Sequence, residues 1–465
     1  MNQTQTTKLL DDLATSMQGD MVLPSDDRYE QARQVWNGMI DLYPAAVAQC
    51  ASTEDVRLAV NAARSAGLDI SVRGGGHSVA GFGTIQDGLV IDLSPMRDVV
   101  VDTATQLVRA GGGCTLGNMD AATQAHGLVV PSGLVSKTGI SGLTLSGGFG
   151  WLRRKWGLSC DNLVGATLVT AAGEVIDVSE ESEPEILWGL RGGGGNFGVV
   201  TELVFQAYPL GPEVAFSLVF YPIEIAQSVL VEHERLVQAA GDEVSTLCLI
   251  GRVPAAESFP AALHRQPIVG VVSMYAGPAS DGEAALSPLR QLGEPLLDMS
   301  GPMPYAFIQT LLDPLFPDGD RYYWKSTNVD TLSEDAIDIV MQQVLAAPSK
   351  RSTINFWLNG GAVERVGESD TAFSGRNNRY VIAVEANWND HADDDANVEW
   401  AREVLSKLEP YGSGGAYLNF PGFLEEGQQL VQSSHGPNYP RLQALKQRLD
   451  PDNVFHRNAN VQPAS

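Results

Sequence analysis

The sequence is poor in several things. Four cysteines in 465 residues, Cys50, Cys114, Cys160 and Cys248, stand far apart. No CxxC pair or zinc spacing exists, so buried free thiols and no metal are expected. No apolar run approaches the roughly 20 residues a membrane helix needs. The opening stretch, MNQTQTTKLLDD, has no basic region followed by an apolar one, and a cytoplasmic protein is expected. Bases are scarce: 30 Lys and Arg face 56 Asp and Glu, a net charge of −26. That sign disfavours nucleic acid and anionic lipid as partners. Repeats at solenoid spacing and long low-complexity linkers are missing too, so the domains are expected to interleave. GxGxxG opening a helix within a βαβ unit and GxxxxGK[ST] are both absent, which disfavours a Rossmann enzyme or an NTPase.

What is present is ordinary in bulk and unusual in one respect. The hydrophobic fraction is 44% and the mean hydropathy −0.06, values of a soluble globular chain with room for two or three domains. Glycine makes up 48 residues, and 26 of them fall between Arg73 and Gly198. That density marks loops rather than a uniformly flexible chain.

About half of these 26 fall in three clusters. Arg73-Gly74-Gly75-Gly76-His77-Ser78 follows the apolar strand Ile70–Arg73. The second runs from Gly139 through Gly142, Ser146 and Gly148 to Phe149 and Gly150, after Pro131-Ser132-Gly133. The third is Arg191 to Thr201, with Gly192 to Gly195, Asn196, Gly198 and Val200. Consecutive glycines let backbone N–H groups converge on an anion with no Cβ in the way. One elongated phosphate-bearing ligand, of dinucleotide size, explains all three loops together.

Around them the patterning predicts helices over residues 7–20, 53–66, 116–126 and 183–191 and short strands at 70–73, 89–93, 107–110, 164–170, 175–178 and 199–205. The middle of the chain reads differently. Strands at 214–221, 268–275, 353–359 and 380–388 with helices at 223–240 and 282–292 suggest an antiparallel sheet covered by helices on one face. The last 50 residues return to loops before a helix at 439–449.

At the glycine clusters, at Lys155 to Asn162, at Tyr417-Leu418-Asn419-Phe420 and at Asp450 to Phe455, the chain resembles the berberine-bridge-enzyme-like group of the vanillyl-alcohol-oxidase superfamily. Its FAD-binding part is similar to that of nicotine-oxidising bacterial members. The resemblance implies an α+β fold: a two-part PCMH/VAO-type FAD-binding domain, residues 1–212 and 413–465, around an antiparallel-sheet substrate domain, residues 213–412. It implies FAD, attached through His77. Many members add a cysteine link in the later loop. Here Val135 stands at that position, so a single covalent bond is expected. Thr138 occupies the place of a small aliphatic residue that influences oxygen access. By resemblance, Arg73 to His77 cradle the pyrophosphate, with Ser78 beside them. Thr138, Gly139, Gly142, Ser146, Gly148 and Phe149 line flavin and ribitol. Asn196, Gly198 and Val200 contact the ribityl, pyrophosphate or adenine edges, and Asn458 and Asn460 face the flavin. Asp161 and Asn162 fit a turn or capping role equally well.

The resemblance further implies an enzyme that takes hydride from an alcohol, sugar or amine carbon and reduces O2 to H2O2. A same-fold dehydrogenase and a flavin-binding protein without turnover are the alternatives. The expected partners are a small organic substrate and O2, with the chain a monomer or homodimer. Tyr417 is the expected base, oriented by Asn419. On the strand at 353–359, period two puts Asn355, Trp357 and Asn359 on one face, where relatives carry carboxylates or a lysine. Trp357 and Tyr323, from the aromatic run Tyr322 to Lys325, complete the expected catalytic set. Glu364 and Glu385 read as solvated carboxylates that could assist a base. His391, His435 and His456 read as surface residues.

Overall fold

The computed structural model describes residues 3–464. Three main sheets organise it. The first is mixed and four-stranded, in the order Asp20–Val22, Ala46–Gln49, Leu89–Asp92, Ile70–Arg73. Its last three strands run parallel. The helix Thr53–Ala66 supplies one crossover. It starts where Ser52 accepts the N–H of Asp55 and stops at Gly67, whose φ of 66° is left-handed. Asp55 is buried because its carboxylate accepts the N–H groups of Gln18, Gly19 and Ala51.

The second sheet is antiparallel and five-stranded: Val99–Asp102, Leu107–Gly111, Val199–Gln206, Leu163–Val169, Val175–Ser179. The large third sheet carries the middle of the chain. Its main path runs Glu213–Pro222, Pro267–Tyr275, Val244–Arg252, Thr353–Leu358, Tyr380–Trp388, Arg321–Val329, and every pairing is antiparallel.

Period two sorts the side chains of this sheet. On Tyr380–Trp388, Tyr380, Ile382, Val384, Ala386 and Trp388 pack into the core shared with the helices Ala226–Ala239, Glu334–Ala346 and Asp394–Leu408. Glu385 and Asn387 turn the other way, toward the glycine loops. On Thr353–Leu358, Ile354, Phe356 and Leu358 face the helices, and Asn355 and Trp357 face the loops. The helices thus cover one face, as the sequence pattern suggests, and the other face forms a wall of the site.

Several elements depart from the sequence pattern. The first helix ends at Ser16, and Asp20 already begins a strand. The second glycine cluster contains a helical turn, Ile140–Leu145. The strand Val244–Arg252 and the helices Glu334–Ala346 and Asp394–Leu408 were not foreseen. Among the described residues no helix is long and apolar enough to cross a membrane.

Candidate active site

The three glycine clusters meet at one cavity of about 820 Å³. The first two touch directly. A Cβ on Gly75 would lie 2.4 Å from the Gly139 nitrogen, and one on Gly139 would lie 2.3 Å from the Gly75 nitrogen. Only glycine permits that approach. The third joins them through the Gly194 N–H, which donates to the Leu145 carbonyl at 2.7 Å. Gly142 and Gly195 line the cavity, and a Cβ on either would meet no protein atom within 4 Å. Backbone walls with open space before them suit a long phosphate-bearing ligand.

His77 lies at the end of the first cluster. Its ring stacks on Trp36 at 4.0 Å and 15°, and Trp36 stacks in turn on Tyr322 at 3.8 Å and 12°. Burial pushes the imidazole down to about 4, so it is neutral at physiological pH. Its Nε2 is buried without a hydrogen-bond partner. An uncharged, oriented imidazole with a free nitrogen fits a histidine that bonds to a flavin. Val135 lines the same cavity, whereas the buried thiols Cys114 and Cys160 do not.

Tyr417 closes the site from the C-terminal segment. Its oxygen accepts the N–H of Gly148 at 3.1 Å, the N–H of Phe149 at 3.4 Å and the Asn419 amide at 2.8 Å. Burial raises its hydroxyl to about 12, and the three donors oppose that rise. Such a ring of donors stabilises the phenolate form at one point of the cavity. Phe149 and Phe420 hold the ring edge-on at 4.8 and 5.1 Å. Trp357 lies beyond Phe149, 5.9 Å away.

Glu385 is not a solvated carboxylate. It is 5% exposed, lines the cavity, and burial raises it to about 7, with Asn355 opposing the rise. It is the sole acid among the lining residues. His435 is likewise no surface residue: it is 2% exposed and lines the cavity, with burial lowering it to about 4.

Most of the expected contacts converge: Arg73 to Ser78, Thr138, Gly139, Gly142, Ser146, Phe149, Gly198, Val200, Asn458, Tyr417, Asn419 and Trp357 all line the cavity. Six expectations need correction. The guanidinium of Arg73 is committed to Asp92 at 2.8 Å and to the Gln34 carbonyl, so it fixes the loop. Gly148 is wedged against Ser159 with φ 94°, and its N–H serves Tyr417 instead. Asn196 is a buried staple, donating to the carbonyls of Gly193 and Ala459 and accepting the Val461 N–H. Asn460 lies outside the lining and offers its carbonyl to Gln428. Tyr323 points to the helix face, where its hydroxyl donates to Glu425, because period two turns Trp324 and not Tyr323 toward the cavity. Asn359 follows the strand's end, and its amide donates to the Asn378 carbonyl. Asp161 pairs with the buried Arg376 at 2.5 Å, and Asn162 braces a turn, the structural roles that were open to them. Among the described residues no cluster of His, Cys, Asp and Glu could hold a metal ion.

Comparison with known proteins agrees with this geometry. An FAD binding domain profile matches residues 44–179, and a "berberine and berberine like" profile matches residues 416–462. The (R)-6-hydroxynicotine oxidase of Paenarthrobacter nicotinovorans is 31% identical, over 96% of this chain and 97% of its own length. The chain belongs to the berberine-bridge-enzyme-like FAD-linked oxidoreductases. The crystal structure of 6-hydroxy-D-nicotine oxidase from Arthrobacter nicotinovorans superposes with a TM-score of 0.86 at 29% identity, covering 97% of this chain and 99% of that one. Glucooligosaccharide oxidase from Acremonium strictum, described with a 6-S-cysteinyl, 8α-N1-histidyl FAD, shares the fold with a TM-score of 0.84 at 23% identity, covering 98% and 99%. FAD is therefore the cofactor, and redox chemistry the class of reaction.

Proposed function

We propose that this chain is an FAD-dependent oxidase that takes hydride from an alcohol, sugar or amine carbon of a small organic substrate, O2 being reduced to H2O2. The observation that carries the reading is the face-to-face placement of the polar sheet wall and the glycine-loop wall across one cavity. FAD, when bound, supplies the acceptor for the hydride and the electrons that reach O2. His77 is its single attachment point in this proposal, because the imidazole is neutral, oriented and unpartnered, and Val135 replaces the second anchor.

The residues of the chain do the remaining work. The substrate O–H or N–H must lose a proton as the C–H bond loses hydride. Tyr417 is the proposed acceptor at its phenolic oxygen, taking the substrate proton as phenolate, the form that the Gly148, Phe149 and Asn419 donors stabilise. Glu385 is the proposed acidic partner, ionised above about pH 7. It stands on Tyr380–Trp388, directly beside the strand that carries Asn355 and Trp357. Phe149, Trp357 and Phe420 keep water from the reacting end.

A panel of alcohols, sugars and amines scored by H2O2 release tests the oxidase reading. Rapid mixing of substrate-reduced enzyme with air should give fast reoxidation. Slow reoxidation would contradict an oxidase and favour a dehydrogenase.

A further inference from the structure

Charge is distributed over the cavity in a way that opposes the chain as a whole. The protein carries 30 bases and 56 acids. The lining reverses the balance: Arg73, Arg252, Arg265, Lys350, Arg351 and Arg457 against Glu385 alone. Arg73 is spent on Asp92. Arg457 donates to the Thr84 carbonyl, on the FAD side of the cavity. The other four, Arg252 at a strand's end and Arg265, Lys350 and Arg351 just before the neighbouring strands, gather at one end of the large sheet.

Arg252 ends the strand Val244–Arg252, and its guanidinium donates to the Arg265 carbonyl, across the following turn. Lys350 and Arg351 precede the neighbouring strand Thr353–Leu358. Arg351 is paired with Asp320 at 2.6 Å. Arg252, Arg265 and Lys350 have no carboxylate partner among the described residues; Arg252 and Lys350 donate only to carbonyls. Arg265 and Lys350 are solvent-exposed, so the cluster forms the mouth. Between the mouth and Glu385 the wall is neutral and polar, with Asn387 and Asn389.

Unpaired cations on a strongly acidic protein cost nothing to keep solvated, but they create a local positive field that an acidic surface otherwise lacks. That field serves a ligand approaching from solvent, because the glycine loops on the opposite wall already meet the cofactor's phosphates. We infer that the substrate of this oxidoreductase carries an anionic group, a carboxylate or a phosphate, which the Arg252–Arg265–Lys350 mouth holds while its oxidisable carbon reaches the Tyr417 end. Two to four residues of strand separate Glu385 from the level of Arg351 or Asn389, so the anion lies roughly 7–13 Å beyond Glu385. The inference rests on the oxidoreductase reading and narrows its substrate.

The test uses oxidised holoenzyme and two probes, 4′-(hydroxymethyl)biphenyl-4-carboxylate and the neutral alcohol in which a methyl group replaces the carboxylate, titrated anaerobically against the flavin absorbance. The carboxylate should bind about tenfold more tightly at low salt, and the advantage should shrink as ionic strength rises. Arg265→Ala with Lys350→Ala should abolish it without changing the neutral probe's Kd, and Lys350→Arg alone should retain it. Equal affinities, a preference that survives the double substitution, or no flavin perturbation by either probe would each overturn the inference. H2O2 release, measured in parallel, separates the two claims. A preference without H2O2 from any donor leaves the anion site standing and sinks the oxidase. H2O2 without a preference does the reverse.

Discussion

The imidazole of His77 lies 4.0 Å above the indole of Trp36, within 15° of parallel. Trp36 is itself clamped by Tyr322, a residue of the large sheet, and its N–H donates to the Phe316 carbonyl. The orientation of the proposed flavin anchor is thus set by contact between the two walls of the cavity. Trp36→Ala should lower the fraction of flavin that stays with acid-precipitated protein by severalfold, whereas Trp36→Phe should keep most of it. Absorbance of pellet and supernatant gives both values. Trp36→Ala also empties a buried aromatic site and should cost about 3 kcal/mol or more in urea unfolding.

Gly75 and Gly142 line the same cavity and should respond differently. A methyl at Gly75 collides with the Gly139 backbone, so Gly75→Ala should disrupt the loop pair and give protein with little flavin and a lowered Tm. A methyl at Gly142 meets no protein atom. Gly142→Ala should therefore leave the flavin-free protein as stable as the parent, within about 0.5 kcal/mol, yet weaken cofactor retention. Calorimetry of the flavin-free forms and flavin content of the holo forms check the contrast.

Glu385 links rate to pH and stability. Its carboxyl is raised by burial from 4.5 to about 7, so below that value it holds a proton and cannot assist Tyr417. The reductive rate should climb as pH rises through about 7. Stability should move the other way. The folded state binds this proton more tightly than the unfolded one, so its contribution is fully present below 4.5 and declines as pH rises to about 7. Asp120, raised by burial from 3.8 to about 7, adds a loss of the same sign. Glu385→Gln should lose the pH step and slow flavin reduction at least tenfold while raising Tm near pH 8. Stopped-flow reduction and calorimetry across pH separate this from a merely structural role, which would lower both.

Tyr417→Phe removes the oxygen on which the Gly148, Phe149 and Asn419 donors converge. Anaerobic flavin reduction should slow by about 10²–10⁴-fold with substrate affinity little changed. Flavin content should stay near that of the parent. A reduction rate unaltered by the substitution would remove Tyr417 from proton transfer.

How much of this was legible in the sequence follows from the range of the physics involved. The helix Thr53–Ala66 and the strand Ile70–Arg73 match their patterns residue for residue, because Ser52, Gly67 and the following glycines punctuate them locally. The glycine clusters pointed to one ligand because close backbone approach leaves a local signature. Glu385 was misread because all nine residues of Tyr380–Trp388 are buried, so no exposed face announced which polar side chains look inward. Tyr323 was misplaced by one residue of strand register, which a run of three aromatics conceals. The pairing of Arg73 with Asp92 spans 19 residues and comes from the parallel register of two strands, which no local pattern reports.

His77 is the proposed attachment point of the flavin. The direct measurement is acid precipitation of the purified protein followed by mass analysis of its peptides. A yellow pellet is expected, with one flavin on the peptide that contains His77, none on Cys114 or Cys160, and release of the colour in His77→Ala. A colourless pellet from the parent protein, with all flavin in the supernatant, would contradict it.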